Sequence, residues 1–593
     1  MRCESNLAPT AIPDTTTDVS PCTLSHNLAR LADPDLARRV EQSTPRRVSL
    51  RLTAGGHAVV RLAGLPLCSD NPLAEAQRWS DDLALDDCDL VVVVGLGAGH
   101  HVRALTRRTE LPLVVLEPSL ELLRVTLGHQ ALADRGSLTI VDTPMALREH
   151  LAGRLRLQQR IRVVSWPPYL ESFPALVLAA RAAVQQAAGV AHITSSTLHV
   201  NLPHWIQHLL QNLPRCEGRV PASAFEGHLA GRPVVLVAAG PSLDRNVEQL
   251  RQVQDRATVI AVNTAMGALE RAGVSVDLVV TVEMLDVSEQ LSALRLNAGC
   301  PRLLDVMAHP ALFQHTDAQI FPFISDIAYF APLARRAGLG QAVVSGGSVS
   351  TTAFTLARRM KASPLILVGQ DLAYTDGRVY AQGTIFEAMS ARISEGTAQL
   401  DGLEAKQRVN SGLSRTGSTS RALEVTPVEG WGGGTVWTTS EFNYFRYALE
   451  RWAVAMTPGH AINATEGGAR IRGFVEQPLR DVLRQLPVTR PPARPCGARL
   501  TRAGIRRSLQ IELDGAVGVL RQARACRAAG CTAAVLDDLA RSIHGAPLTY
   551  AACWSTLEPM SRPGTGASPA ELCGRVERDA AYLADSVLTA LAL

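Results

Sequence analysis

Short runs of branched apolar residues alternate along this chain with longer amphipathic stretches. "DLVVVVGLGAGHHVRAL" (89–105) is an unbroken apolar run, a glycine-rich turn and a helix start, and "LPLVVLEPS" (111–119) is the next such run, ending at Glu117. From about residue 225 the pattern is most regular, in "VVLVAA" (234–239), "TVIAVN" (258–263), "DLVVTVE" (277–283), "RLLDVM" (302–307), "QAVVS" (341–345) and "PLILVGQD" (364–371). Apolar runs of this length, without period-two alternation and with helix-length spacers, predict strands of a parallel sheet covered on both faces. Residues 175–213 have a helical pattern. Periodicity fails over 385–440, where "SGLSRTGSTS" and "EGWGGGTVWTTS" read as a long mobile loop. "PVTRPPARPCGAR" is a linker, and an Ala/Leu/Arg-rich, strand-poor tail follows it.

This gives an α/β protein in four parts: a disordered, Thr/Ser/Asp/Pro-rich start (1–24), a Rossmann-like α/β block with a helical connector (25–220), a doubly wound central domain (221–485), and a linker with a helical C-terminal domain (486–593). A net charge of +4 over 593 residues argues against a dedicated nucleic-acid binder. The eleven cysteines are scattered, and the closest pair, Cys526 and Cys531, has no second pair or His cluster to complete a zinc site. With no disulfide framework, no apolar core of a signal peptide and no run long enough to span a bilayer, the expected compartment is the cytoplasm.

The candidate chemistry stands at the strand ends. In the central block these are Gly240-Pro241-Ser242, Asn263-Thr264, Glu283 with Asp286 beyond it, Ser345-Gly346-Gly347-Ser348 and Gly369-Gln370-Asp371. Any one of them is ordinary turn and capping chemistry, but together they place small and polar groups along the sheet edge where doubly wound folds bind ligands. Gly240 and the N–H groups beyond Ser242 form one candidate anion cradle, and Gly346 and Gly347 before a helix form a second. The first turn has neither the lysine nor the second glycine of a triphosphate-binding loop. In the first block, Gly95, Gly97 and Gly99 with Glu117 fit a nucleotide or adenosyl-cofactor turn, or simply close helix–sheet packing.

The segments "GRPVVLVAAGPSLDRNVEQL", "VIAVNTAMGALERAGVSVDLVVTVE" and "VSGGSVSTTAFTLARRMKASPLILVGQDLAYTDGRVYAQGT" resemble the motility-associated factor (Maf) glycosyltransferases, which contain the 6-hydroxymethylpterin diphosphokinase MptE-like domain. "LCSDNPLAEAQRW" (67–79) and "NATEGGARIRG" (463–473) agree with this, so the resemblance covers roughly 45–480. It implies a central domain similar to bacterial sialyltransferases. It also implies transfer of a nonulosonic acid of the pseudaminic or legionaminic type from a CMP-activated donor to Ser or Thr of flagellin, as flagellar assembly and motility require.

Carried over by motif, Gly240, Pro241, Ser242, Asn263 and Thr264 would line the CMP side. Ser345, Gly346, Gly347 and Ser348 would approach the phosphate or sugar carboxylate, and Asp371 would follow the last strand beside Gly369 and Gln370. Tyr374 and Tyr380 would steady the leaving phosphate. Two departures stand out. Glu283 replaces the Asp usual in the family, and Tyr380 stands where many relatives have His. Asp371, Asp376, Glu466 and His460 are the candidate bases. No cofactor is required, because CMP leaves as a monophosphate; Asp376 and Glu466 leave room for Mg²⁺ without implying it. The competing functions are a pterin-type diphosphokinase and a non-catalytic flagellin-binding or assembly factor. A methyltransferase reading rests on the first-block turn alone.

Overall fold

The computed structural model describes residues 20–592 except 130–137, 153–158, 254, 315–317, 328–329, 405–420, 489–493, 531–538, 540–542, 544–546 and 554–567; for 152, 190–200, 547, 550 and 569 it describes the backbone alone. Of the stretch expected to be disordered (1–24), residues 1–19 lie outside the described residues, and the rest is ordered as the start of the helix Pro21–Leu28, capped by Ser20. The chain forms two compact units, residues 1–196 and 197–593. Among the described residues no helix is long and apolar enough to cross a membrane.

The first unit holds a four-stranded parallel sheet in the order Leu138–Val141, Leu113–Leu116, Leu90–Val94, Ile161–Ser165. Leu90–Val94 and Leu113–Leu116 are buried throughout, as their unbroken apolar runs require. A three-stranded antiparallel sheet of Val48–Leu52, Ala58–Leu62 and Leu65–Pro66 completes the unit.

The second unit is built on an eight-stranded parallel sheet. Its order is Ile320–Phe323, Arg302–Asp305, Leu278–Thr281, Thr258–Val262, Val234–Val237, Leu365–Val368, Ala461–Asn463, Val475–Glu476. The chain starts at Val234–Val237 and winds outward through four strands. It then returns to the other side of that first strand with Leu365–Val368. The order reverses between these two neighbours, whose four residues each are all buried. Each such Val, Leu or Ile contributes about 1.5–3 kcal/mol by leaving water, which holds this central pair firmly.

Two expectations need correcting. "QAVVS" is not a strand: Val343 makes only a single bridge, to Ser325 beyond the outermost strand, where one neighbour cannot sustain a ladder. Nor is 385–440 a long loop in its described part. Ser390–Ser394, Thr397–Asp401 and Arg421–Glu424 form one antiparallel sheet, and Thr426–Glu429 pairs with Thr435–Thr438. These strands are short and polar on one face. In the first sheet only Ala391, Ala398 and Leu400 are buried, and in the hairpin only Thr438, so the apolar signal is faint. The helix Ser440–Val454 follows, and the C-terminal helices Arg502–Ala528 and Pro569–Ala592 pair with one another within the second unit. Leu509 and Leu513 of the first of these lie in the same core as the helices covering the sheet.

Candidate functional site

A cavity of about 410 Å³ opens beyond the carboxyl ends of the second unit's strands, at the point where strand order reverses. This is where a doubly wound sheet leaves a crevice, because the helices following the two central strands pass to opposite faces. Its floor is Ala238, Ala239 and Gly240 from one strand end and Gly369, Gln370 and Asp371 from its neighbour. One wall is Gly347, Ser348, Val349 and Ser350. The lining also includes Thr264, Glu283 and Gln290, together with Tyr380, Phe386, Glu441 and Phe442. Among the described residues no lysine or arginine lines it.

The turn at Gly240 is already occupied, and its occupant is a carboxyl group of the protein itself. Asp371 is 3% exposed. Its carboxylate accepts the Ser242 N–H at 3.2 Å on both oxygens, the Ser242 hydroxyl at 2.6 Å and the Thr375 hydroxyl at 2.7 Å. Burial pushes its pKa up, and the Ser242 and Thr375 hydrogen bonds oppose that shift. Gly240 is required for this closure, since a Cβ there would lie 2.1 Å from Asp371 Oδ1 and 2.6 Å from the Gly369 carbonyl oxygen. The Gly240 N–H in turn donates to that carbonyl at 2.8 Å. Asp371 thus clamps the two central strand ends together, and Ser242 faces Asp371 and lies outside the cavity lining.

The second cradle is open. Ser348 caps the helix Val349–Arg359 through a reciprocal box with Thr351, which satisfies the Thr351 N–H and leaves the first turn facing the cavity. The positive end of an eleven-residue helix therefore stands on the wall. The two glycines before it serve packing as much as access. A Cβ on Gly346 would lie 2.8 Å from Ala448 Cβ, and one on Gly347, at φ +94°, would lie 2.5 Å from the Tyr444 ring. Only Gly347 lines the cavity; Ser345 sits behind, accepting the Gly347 N–H and the Thr352 hydroxyl.

The remaining expected residues divide cleanly. Thr264, Glu283, Gly369, Gln370 and Tyr380 reach the cavity, and burial with the nearby Glu283 raises the Tyr380 pKa far above that of a free phenol. Tyr374 is buried behind the lining, packed 5.7 Å from Phe442 between ring centroids, and burial pushes its hydroxyl up to about 12. Asn263 is buried beneath, donating to Gln290 at 2.9 Å. Pro241 does not line the cavity. Asp376 is exposed and paired with Arg245 at 2.6 Å, while Glu466 accepts the Leu479 N–H and His460 meets Ser363. Neither Glu466 nor His460 lines the cavity.

The helix Ser440–Val454 was not anticipated here. Thr439 with Glu441 is a legible helix start, but the helix is delivered to the cavity by the weakly patterned strands before it.

In the first unit, the equivalent crevice is closed by the protein itself. A Cβ on Gly95, at φ +97°, would lie 2.4 Å from the Tyr169 ring. Glu117 is fully buried and accepts the Leu96 and Ser119 N–H groups at 3.0 Å and the Tyr169 hydroxyl. The Thr126 hydroxyl donates to the Gly97 carbonyl at 2.7 Å, and Gly99 is the left-handed cap of the next helix. His101 bonds the Gly95 carbonyl at 2.9 Å and stacks on Trp166, and burial lowers its pKa to about 3. Of the two readings open for this turn, nucleotide site or close helix–sheet packing, the geometry fits packing. The Glu117 oxygens are spent on the turn, and Gly95 and Gly97 serve packing.

The second unit is thus a doubly wound α/β domain with an open crevice at its strand-order reversal. Residues 207–377 match the family described as 6-hydroxymethylpterin diphosphokinase MptE-like, so the chain carries an MptE-like domain spanning both central strands and Asp371. A solved structure of a Maf glycosyltransferase from Magnetospirillum magneticum AMB-1 is similar at 14% identity and a TM-score of 0.49, covering 97% of this chain and 95% of that one. No curated protein matches the chain.

Proposed function

We propose that this protein is a glycosyltransferase of the Maf type, transferring a nonulosonic acid from a CMP-activated donor to Ser or Thr hydroxyls of flagellin. The observation that carries the reading is the cavity at the strand-order reversal. It offers a helix N-terminus but no lysine or arginine among the described residues. Such a site suits one phosphodiester and one carboxylate better than a triphosphate, which would need cationic side chains or a bound metal. The MptE-like domain and the segments resembling Maf proteins support the same reading.

In this reading the Val349–Arg359 helix N-terminus takes the donor phosphate. The Tyr380 hydroxyl, kept neutral by burial, donates to the leaving CMP oxygen. The acceptor hydroxyl attacks the anomeric carbon as the C–O bond to CMP breaks, inverting the centre through an oxocarbenium-like state. Asp371 is engaged by Ser242 and Thr375, so the proton goes to Glu283 or Glu441, the other carboxylates on the cavity wall.

Co-expression with flagellin and a CMP-nonulosonate pathway, followed by intact-mass measurement, should show flagellin heavier by whole sugar residues. Unmodified flagellin with the donor confirmed present would refute the proposal. Phosphoryl transfer from ATP to a hydroxymethylpterin would instead establish the diphosphokinase that the domain's description names.

A further inference from the structure

Beneath the Thr264 side of the cavity lies an amide pair whose hydrogen bonding is incomplete. Asn263 and Gln290 are 1% and 7% exposed. The Asn263 Nδ2 donates to Gln290 Oε1 at 2.9 Å, which fixes the Gln290 carboxamide and uses its oxygen. Gln290 Nε2 then has no partner among the described residues, nor has Asn263 Oδ1. A buried donor left unpaired costs about 1–3 kcal/mol, so it persists where something outside the protein completes it. Gln290 lines the cavity, and the lining beside it is Val262, Leu285 and Val287.

We infer that Gln290 is the base-reading residue of this site, its Nε2 donating to the carbonyl O2 of the donor's cytosine, with Asn263 as the positioning residue. The inference rests on the proposed CMP-sugar reading. An anion is not the natural occupant of this corner, whose lining beside Gln290 is apolar. A neutral planar ring is. It fills the slot between Val262, Leu285 and Val287 and supplies the acceptor that the amide lacks. The phosphate then falls toward Ser348 and Ser350. A sequence search for strand-end motifs passes over Gln290, because it follows the Leu278–Thr281 strand by nine residues and sits inside the short helix Ser288–Ser292.

The test compares full-length protein binding to CMP and to ribose 5-phosphate by calorimetry. Gln290→Glu keeps the acceptor for Asn263 and removes the donor, and its added charge penalises both ligands alike. Gln290→Leu removes the donor without charge. Both should cut the preference for CMP over ribose 5-phosphate about tenfold. With unaltered protein, 2-thiocytidine 5′-monophosphate should bind about tenfold more weakly than CMP, because sulfur is the poorer acceptor. Unchanged preference in the folded variants, or equal affinity for the thio analogue, overturns the inference while leaving the transferase reading intact. Failure of the wild-type protein to bind CMP overturns both.

Discussion

The two units solve the same local problem and end with opposite results. Each has a parallel sheet whose strand order reverses beside a glycine-containing turn, and in each a buried carboxylate takes up backbone N–H groups of that turn. Glu117 does so in the first unit and Asp371 in the second. In the first, Tyr169 and Trp166 then fill the crevice. In the second, the chain leaves about 410 Å³ open and lets a second helix N-terminus face it. A glycine before a helix therefore reports only that something approaches the backbone closely. Whether that is a ligand or the protein's own side chain depends on residues distant in sequence.

The sharpest way to break the comparison is to crowd both turns. Gly240→Ala and Gly95→Ala each force a Cβ into atoms less than 2.5 Å away, and each should cost upwards of about 3 kcal/mol in its own unit, read by hydrogen exchange. Transfer should vanish with Gly240→Ala but fall with Gly95→Ala only as far as folded protein is lost. A specific loss of donor affinity in Gly95→Ala would put the first turn in the site.

Acid should separate the units next. His101 has a folded-state pKa lowered by burial to about 3, against about 6.5 when unfolded. Its contribution is complete above pH 6.5 and is lost progressively as pH falls toward 3, roughly 4–5 kcal/mol in all. Protection of the first unit's sheet should decline through that window, and His101→Gln should flatten the decline. An unchanged slope would mean that His101 titrates freely.

Within the cavity, Tyr380→Phe should lower the transfer rate by about 10–100-fold with little change in melting, since it removes a donor to the leaving group. Equal rates would exclude that role. The smallest effect belongs to Ser348→Ala, which deletes one helix cap for about 1 kcal/mol and should weaken donor binding only modestly. A complete loss of binding would show that the Ser348 hydroxyl itself meets the donor.

Much of this was legible in the sequence because fully buried parallel strands leave unbroken apolar runs. The central strands and the polar groups at their ends follow from that signal, whereas the strand order, and with it the reversal point, is set by packing that no single run displays. What was not legible has a physical cause in each case. The strands of 390–438 bury only small or scattered residues, so their pattern is weak, and with them went the position of Glu441. Ile320–Phe323 and Ala461–Asn463 are too short to stand out from their surroundings. Ser242 and Asp371 both sit at strand ends as expected, but no local pattern shows that 129 residues apart they satisfy one another. Gln290 carries its information in an unmade hydrogen bond, which only the folded chain displays.

The central claim is that the second unit's open helix N-terminus, and not the first unit's closed turn, receives the nucleotide. Hydrogen exchange of the full-length protein with and without CMP tests this directly. The account predicts slowed exchange at residues 347–350 and around Gln290, with none at 95–99. Protection at 95–99 with residues 347–350 unchanged would contradict it.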